Sequence, residues 1–188
     1  MRIIGPATAM PWSVYNRIQI KTGVHLLRFT EMFWSLWYVA EEYGIDPVGA
    51  VAQMAKETGW GNFRGAVKPW HYNTCGLKVG NVTGVMEFTP TGNSDHSLCH
   101  AQFANWDIGA IAHIQHLRAY AGWDLDRNDA KFNTIIDPRY DLALRTPITG
   151  LTHFEDLGGT DAIGIKWAPS PTYGAELVTI ADYLRGKS

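Results

Sequence analysis

The sequence predicts an α+β fold, lysozyme-like in proportion, mostly helical with a small antiparallel β lobe at about 64–105. Apolar residues recur at helical spacing in segments before and after that stretch, and within it glycines punctuate short apolar–polar pieces. No internal repeat, linker or low-complexity tract interrupts the chain, so residues 1–188 read as a single domain. The first predicted helix covers about 30–43, with Thr30 as cap, Phe33, Trp37 and Ala40 on one face and Gly44 as stop. Asp46 followed by Pro47 restarts a helix, a capping side chain before a proline in the first helical position. That second helix runs to about Thr58, with Gly59 past its end. The lobe holds "VTGVMEFT" and "LCHAQF", joined by the turn-rich "PTGNSD". Helical spacing returns at about 106–121, where Ile111, Ile114, Leu117 and Ala121 are in register before Gly122. Residues 122–168 are loop-rich, and a last helix is predicted over 172–185, with Leu177, Ile180, Ala181 and Leu184 facing inward.

Composition excludes some classes. The chain has 188 residues, 46% of them hydrophobic, enough for a well-buried core. A net charge of −2 gives no basic face for nucleic acid. The most apolar stretch, "LLRFTEMFWSLWYVA", is too short for a span and carries Arg28 and Glu31, so no membrane insertion is expected. No cationic start followed by an apolar run and a cleavage site stands at Met1, so no signal peptide is expected in this chain. Cys75 and Cys99 fit either a disulfide or reduced core thiols. Eight tryptophans and eight tyrosines fit a packed core and also flat faces for sugar rings.

The segment "AVAQMAKETGWGNF" carries the sharpest chemical signal. On a helical wheel Glu57 shares its side with Gln53, not with Val48, Val51 and Ala55, which fits a solvated glutamate. It also sits at the negative end of the helix dipole, and Trp60 and Phe63 follow as candidate dry walls; both effects raise a carboxyl pKa. Gly59 and Gly61 leave room beside it. A glutamate held protonated near neutral pH is what a glycosidase needs to protonate a leaving oxygen.

"AQMAKETGWGNF", "YNTCGLK" (72–78), "QFANWDIGAIAHIQHLRAYA" (102–121), "DPRYDL" (137–142) and "WAPSPTYG" (167–174) occur in this order and together resemble the glucosaminidase domain of glycoside hydrolase family 73, the fold of bacterial autolysins and the flagellar peptidoglycan hydrolase. The opening "IIGPATA" resembles the leader of many phage and secreted versions. The resemblance implies a lysozyme-like α+β fold and hydrolysis of the β-1,4 bond from N-acetylglucosamine to N-acetylmuramic acid in peptidoglycan. It maps the catalytic acid onto Glu57 and a substrate loop onto Tyr72–Lys78, where Asn73, Gly76 and Lys78 match while Tyr72 and Cys75 depart. The family's C-terminal tyrosine falls on Tyr173. Its preceding tyrosine and aspartate are replaced by Trp167, which can still stack on a sugar, and Ser170, which cannot act as a carboxylate. A second acid, if used, is expected at Glu87 in the lobe, against its reading as a solvated strand residue. The substrate's own 2-acetamido group is the alternative nucleophile, and the sequence leaves inverting and substrate-assisted routes open.

Trp60, Trp70 and Trp167 border these segments as candidate cleft aromatics, whereas Trp12, Trp34, Trp37, Trp106 and Trp123 read as core or packing residues. His113 with His116 and His96 with His100 have metal-compatible spacing, but neither pair has a third ligand. "DLDRND" (124–129) lacks the glycine and the bidentate glutamate of a calcium loop. No cofactor is implied. Two other readings stay beside the hydrolase: a lytic transglycosylase of the same fold, and a non-catalytic cell-wall-binding or virion module. The expected setting is a phage endolysin, a virion-associated lysin or part of a larger extracellular autolysin, acting as a monomer.

Overall fold

The computed structural model describes residues 1–23, 27–79, 88–91, 99–145, 150–161 and 164–187. Six helices are found among them: α1 (Pro11–Thr22), α2 (Leu27–Glu42), α3 (Pro47–Glu57), α4 (Trp106–Tyr120), α5 (Tyr140–Arg145) and α6 (Tyr173–Arg185). Two antiparallel strand pairs accompany them, β1 (Phe88–Thr91) with β2 (His100–Phe103), and β3 (Thr160–Asp161) with β4 (Gly164–Ile165). The predicted class is therefore the observed one.

The caps explain the helix starts. The Asp46 carboxylate accepts from Val48 N at 3.0 Å ahead of Pro47, and Asn105 does the same for Ile108 N at 3.0 Å ahead of α4. α3 is buried from Pro47 through Ala55, clasped between α2 and α6. α4 packs on α2, α5 and β2, so its burial runs almost all round, His113, Gln115 and His116 included. The main core joins Phe33, Trp37, Val48, Val51, Ile114, Leu117, Phe154, Leu177 and Leu184, all without solvent contact. A smaller core of Cys75, Leu77, Val79, Cys99, Ala101 and Phe103 seats the β lobe on α4.

Close backbone approach fixes that seat. A Cβ built on Gly109 would lie 1.8 Å from the Tyr72 carbonyl oxygen, so α4 meets the 72–78 loop through a glycine. Gly109→Ala must push the loop away. The expected cost is about 2–3 kcal/mol, at the upper end for overpacking, read as a fall in Tm of about 5–10 °C. An unchanged Tm would mean that the loop is not held there.

Several expectations are corrected. Residues 11–22, unassigned in the sequence reading, form α1, started by Pro11 and closed by left-handed Gly23. Trp12 and Trp123 are 62% and 49% exposed rather than core, whereas Trp37 and Trp106 are buried. Gly61 makes no room for a ligand: its missing Cβ would stand 2.6 Å from the Phe29 ring. Gly59, Trp60, Gly61 and Phe63 all have positive φ, and Trp60 N and Phe63 N donate back to Ala55 O and Thr58 O. The glycines serve this tight left-handed corner. Phe63 then turns into the core beside Trp106 instead of walling Glu57. Cys75 and Cys99 are both buried and are not joined in a disulfide. Among the described residues no helix is long and apolar enough to cross a membrane.

Candidate active site

Glu57 closes α3, and its side chain opens into a cleft of about 400 Å³. The cleft is lined by the 75–78 loop, by His116 and Tyr120 of α4, by Arg139, and by residues 166–169. Among its described lining residues Glu57 is the only carboxylate. The loop arrives there because Leu77–Val79 pairs with the free edge of β2: Val79 N donates to Cys99 O and Ala101 N to Leu77 O, each at 2.9 Å. A Cβ on left-handed Gly76 would come within 3.9 Å of Glu57 Oε2.

The Glu57 side chain keeps accessible surface toward the cleft while protein atoms crowd its carboxyl from the other sides. That crowding is the largest influence and pushes the pKa above the ordinary carboxylate range. The Tyr173 hydroxyl and the Trp167 indole donate to the carboxylate, and with Lys56 they pull back in the opposite direction without cancelling the rise.

Behind Tyr173 runs a buried chain of hydrogen bonds. Gln53 Nε2 donates to the Tyr173 hydroxyl at 3.0 Å, and Gln53 Oε1 lies 2.9 Å from His113 Nε2. His113 Nδ1 lies 2.9 Å from Thr74 Oγ1. Burial pushes His113 down to about 3, so its ring is neutral. With Glu57 ionised, one hydrogen assignment satisfies all four contacts: Thr74 donates to His113, His113 to Gln53, Gln53 to Tyr173 and Tyr173 to Glu57. Every donor in the series points toward the carboxylate, and such aligned bonds polarise one another. Burial, and then the Glu57 charge beside it, push the Tyr173 hydroxyl pKa far up against the pull of Gln53, so it stays a donor.

The residues singled out in the sequence separate into three groups. Glu57, Gly76, Lys78 and Trp167 line the cleft, and Tyr173 reaches it through Glu57. Asn73 does not face a ligand. It is fully buried, its amide donating to Leu77 O and Ala101 O at 2.9 Å while its oxygen accepts from Cys75 N and Leu77 N. Its work is to hold the loop. Trp60 and Trp70 also stand apart from the cleft lining: Trp60 packs edge-on to Tyr183, and Trp70 is 62% exposed on the short 3₁₀ turn Pro69–His71. Glu87 and His96 lie outside the described residues. Ser170 is exposed and bonds to Thr172 at the start of α6.

Gln53, His113, His116, Asp137, Arg139 and Lys166 went unassigned as site residues in the sequence. Gln53 was visible only as the wheel neighbour of Glu57, and His113 and His116 only as a spaced pair. In place, His116 Nδ1 bonds Asp137 Oδ2 at 2.7 Å, and Trp167 packs against His113, His116 and Tyr120 with ring centroids 5.0–5.7 Å apart. Asp124, Asp126 and Asp129 of the calcium-like stretch each accept a nearby backbone N–H.

A carboxyl of raised pKa in a polar cleft, backed by donors that favour its ionised form, is the arrangement of a proton donor to a leaving group. The family model for glucosaminidase, described as mannosyl-glycoprotein endo-beta-N-acetylglucosaminidase, matches residues 35–185, about four-fifths of the chain. No curated protein and no solved structure gives a significant match. The matched span includes α3 with Glu57, the cleft loop, α4, Trp167 and α6 with Tyr173. The chain belongs to the glucosaminidase family of glycoside hydrolases, lysozyme-like α+β proteins with endo-β-N-acetylglucosaminidase activity.

Proposed function

We propose that the protein is a peptidoglycan hydrolase, cleaving the β-1,4 bond from N-acetylglucosamine to N-acetylmuramic acid within glycan strands, with Glu57 as general acid. The observation that carries this reading is the Glu57 carboxyl itself, raised in pKa and bonded by Tyr173 in the cleft. Protonated Glu57 gives its proton to the glycosidic oxygen as the bond to the anomeric carbon breaks. The carboxylate so formed is met by donors already in place, Tyr173 and Trp167, with the Lys56 charge nearby. These contacts strengthen as charge develops, so they favour the transition state over the ground state. The anomeric carbon is attacked either by the substrate's 2-acetamido oxygen or by water, and both routes share the Glu57 step. The setting that fits this chemistry is the cell wall, reached as a phage lysin or as part of a secreted autolysin.

The test is digestion of purified peptidoglycan, borohydride reduction of the products and mass spectrometry of the new ends. Reduced N-acetylglucosamine is the expected end. Anhydro-muramic ends would make the protein a lytic transglycosylase using the same acid. A folded sample that binds cell walls and yields no new ends would leave a binding module.

A further inference from the structure

Apart from Glu57, the charges among the described lining residues are of one sign: Lys78, Arg139 and Lys166. Elsewhere some cations are held in ion pairs, as in Lys56 with Glu176, Arg127 with Asp141, Lys131 with Glu42, and Arg185 with Asp46 and Asp182. Among the described residues no ion pair engages the three cleft cations. Asp137, two residues before Arg139, is committed: one oxygen accepts from His116 Nδ1 and the other from the Arg139 backbone N–H at 2.8 Å. The Arg139 Nε–H is itself buried, with no partner among the described residues. An unmet buried donor is costly, so the guanidinium gains if it can turn toward an acceptor.

The placement of Arg139 also fits an anion. The backbone just before it is fixed, because Gln115 Oε1 on α4 accepts from both Ile136 N and Asp137 N, at 2.7 and 3.0 Å. A guanidinium carried there can offer a carboxylate a planar, paired contact.

We propose that Arg139, Lys166 and Lys78 form a carboxylate-binding subsite beside the sugar site, reading the anionic arm of the glycan. This rests on the peptidoglycan reading. N-acetylglucosamine is neutral, so the carboxylate comes from the lactyl group of muramic acid or from the stem peptide attached to it. The subsite selects glycan that carries such an arm over neutral chitin-like chains, and its contribution weakens with salt.

The test measures binding to catalytically inactive Glu57→Gln protein, by calorimetry, with three glycans of matched length. These are chito-oligosaccharide, peptide-stripped peptidoglycan glycan and peptide-bearing glycan. At about 50 mM salt a carboxylate-bearing glycan is expected to bind about tenfold tighter than chito-oligosaccharide, the advantage falling severalfold by about 300 mM. Arg139→Gln in that background should reduce the advantage to about twofold or less, and Lys166→Gln to an intermediate value. An advantage already present with stripped glycan assigns the lactyl carboxylate; one that appears only with peptide assigns the stem. Equal binding of all three glycans, or an advantage unmoved by both variants or by salt, overturns the subsite. The salt series in the Glu57→Gln protein needs no further variant to fold, and the sugar-end assay is independent of it, so the subsite and the hydrolase reading fail separately.

Discussion

Replacing Glu57 by glutamine is expected to abolish cleavage, with new sugar ends appearing about 10²–10⁴-fold more slowly than from wild type, the range a positioned proton donor supplies. Glutamine keeps the size of the side chain and can still accept from Tyr173 and Trp167, so the cleft keeps its shape and loses the transferable proton. End-group mass spectrometry against time gives the rate. A variant that cleaves at more than about a tenth of the wild-type rate removes Glu57 from the role of acid.

Stability in the same variant carries a separate sign. Burial holds the folded-state Glu57 carboxyl above its ordinary value. Such a group contributes stability fully below the unfolded-chain pKa and loses it as pH rises through the higher folded-state value. Above that window ionised Glu57 is a cost that glutamine does not carry. Glu57→Gln should therefore melt with wild type in acid and no lower than wild type at neutral and alkaline pH. A large fall in Tm would assign the lost activity to packing instead.

What the sequence disclosed follows from which signals are local. Asp46–Pro47, Asn105 and the terminal glycines sit beside the helices they bound, so α2, α3, α4 and α6 were legible within a few residues. α1 was not, because it buries only Val14 and Ile18, too thin a stripe to set a period. α5 is six residues long and offers less than two turns of pattern. Trp12 and Trp123 show why composition is a poor guide to burial, since both count as core by residue type and lie at the surface in fact.

The site divides along the same line. Glu57 was singled out from its neighbours in sequence, and burial was among the effects expected to raise its pKa, but the walls named for it, Trp60 and Phe63, are not among the residues that line the cleft. Gln53 shares a wheel side with Glu57 and so looked solvated; its cover comes from Tyr173 and His113, 120 and 60 residues away. Asn73 looked like a ligand contact because its motif matched, yet its amide is spent on backbone up to 28 residues distant. Pairings at such separations are made by the fold and leave no periodic trace.

Another long-range contact, that of Tyr173 with Glu57, yields the second large effect. Tyr173→Phe removes the hydroxyl that donates to Glu57 and leaves the rest of the ring in place. One donor to a developing charge is worth about 1.5–3 kcal/mol, so kcat should fall about 10–100-fold with little change in KM. The pH profile supplies the discriminating sign. Tyr173 lowers the Glu57 pKa against burial, so its loss raises that pKa further and moves the alkaline limb of kcat to higher pH. His113, held near 3, is neutral throughout the range assayed and cannot supply the shift. Gln53→Leu, which cuts the chain one bond earlier, should move the limb in the same direction by less, because the Tyr173 hydroxyl remains but loses its aligned donor. A Tyr173→Phe enzyme with reduced kcat and an unmoved limb would show that the tyrosine only shapes the cleft. A limb that moves down would show that the donor chain runs away from Glu57 rather than toward it.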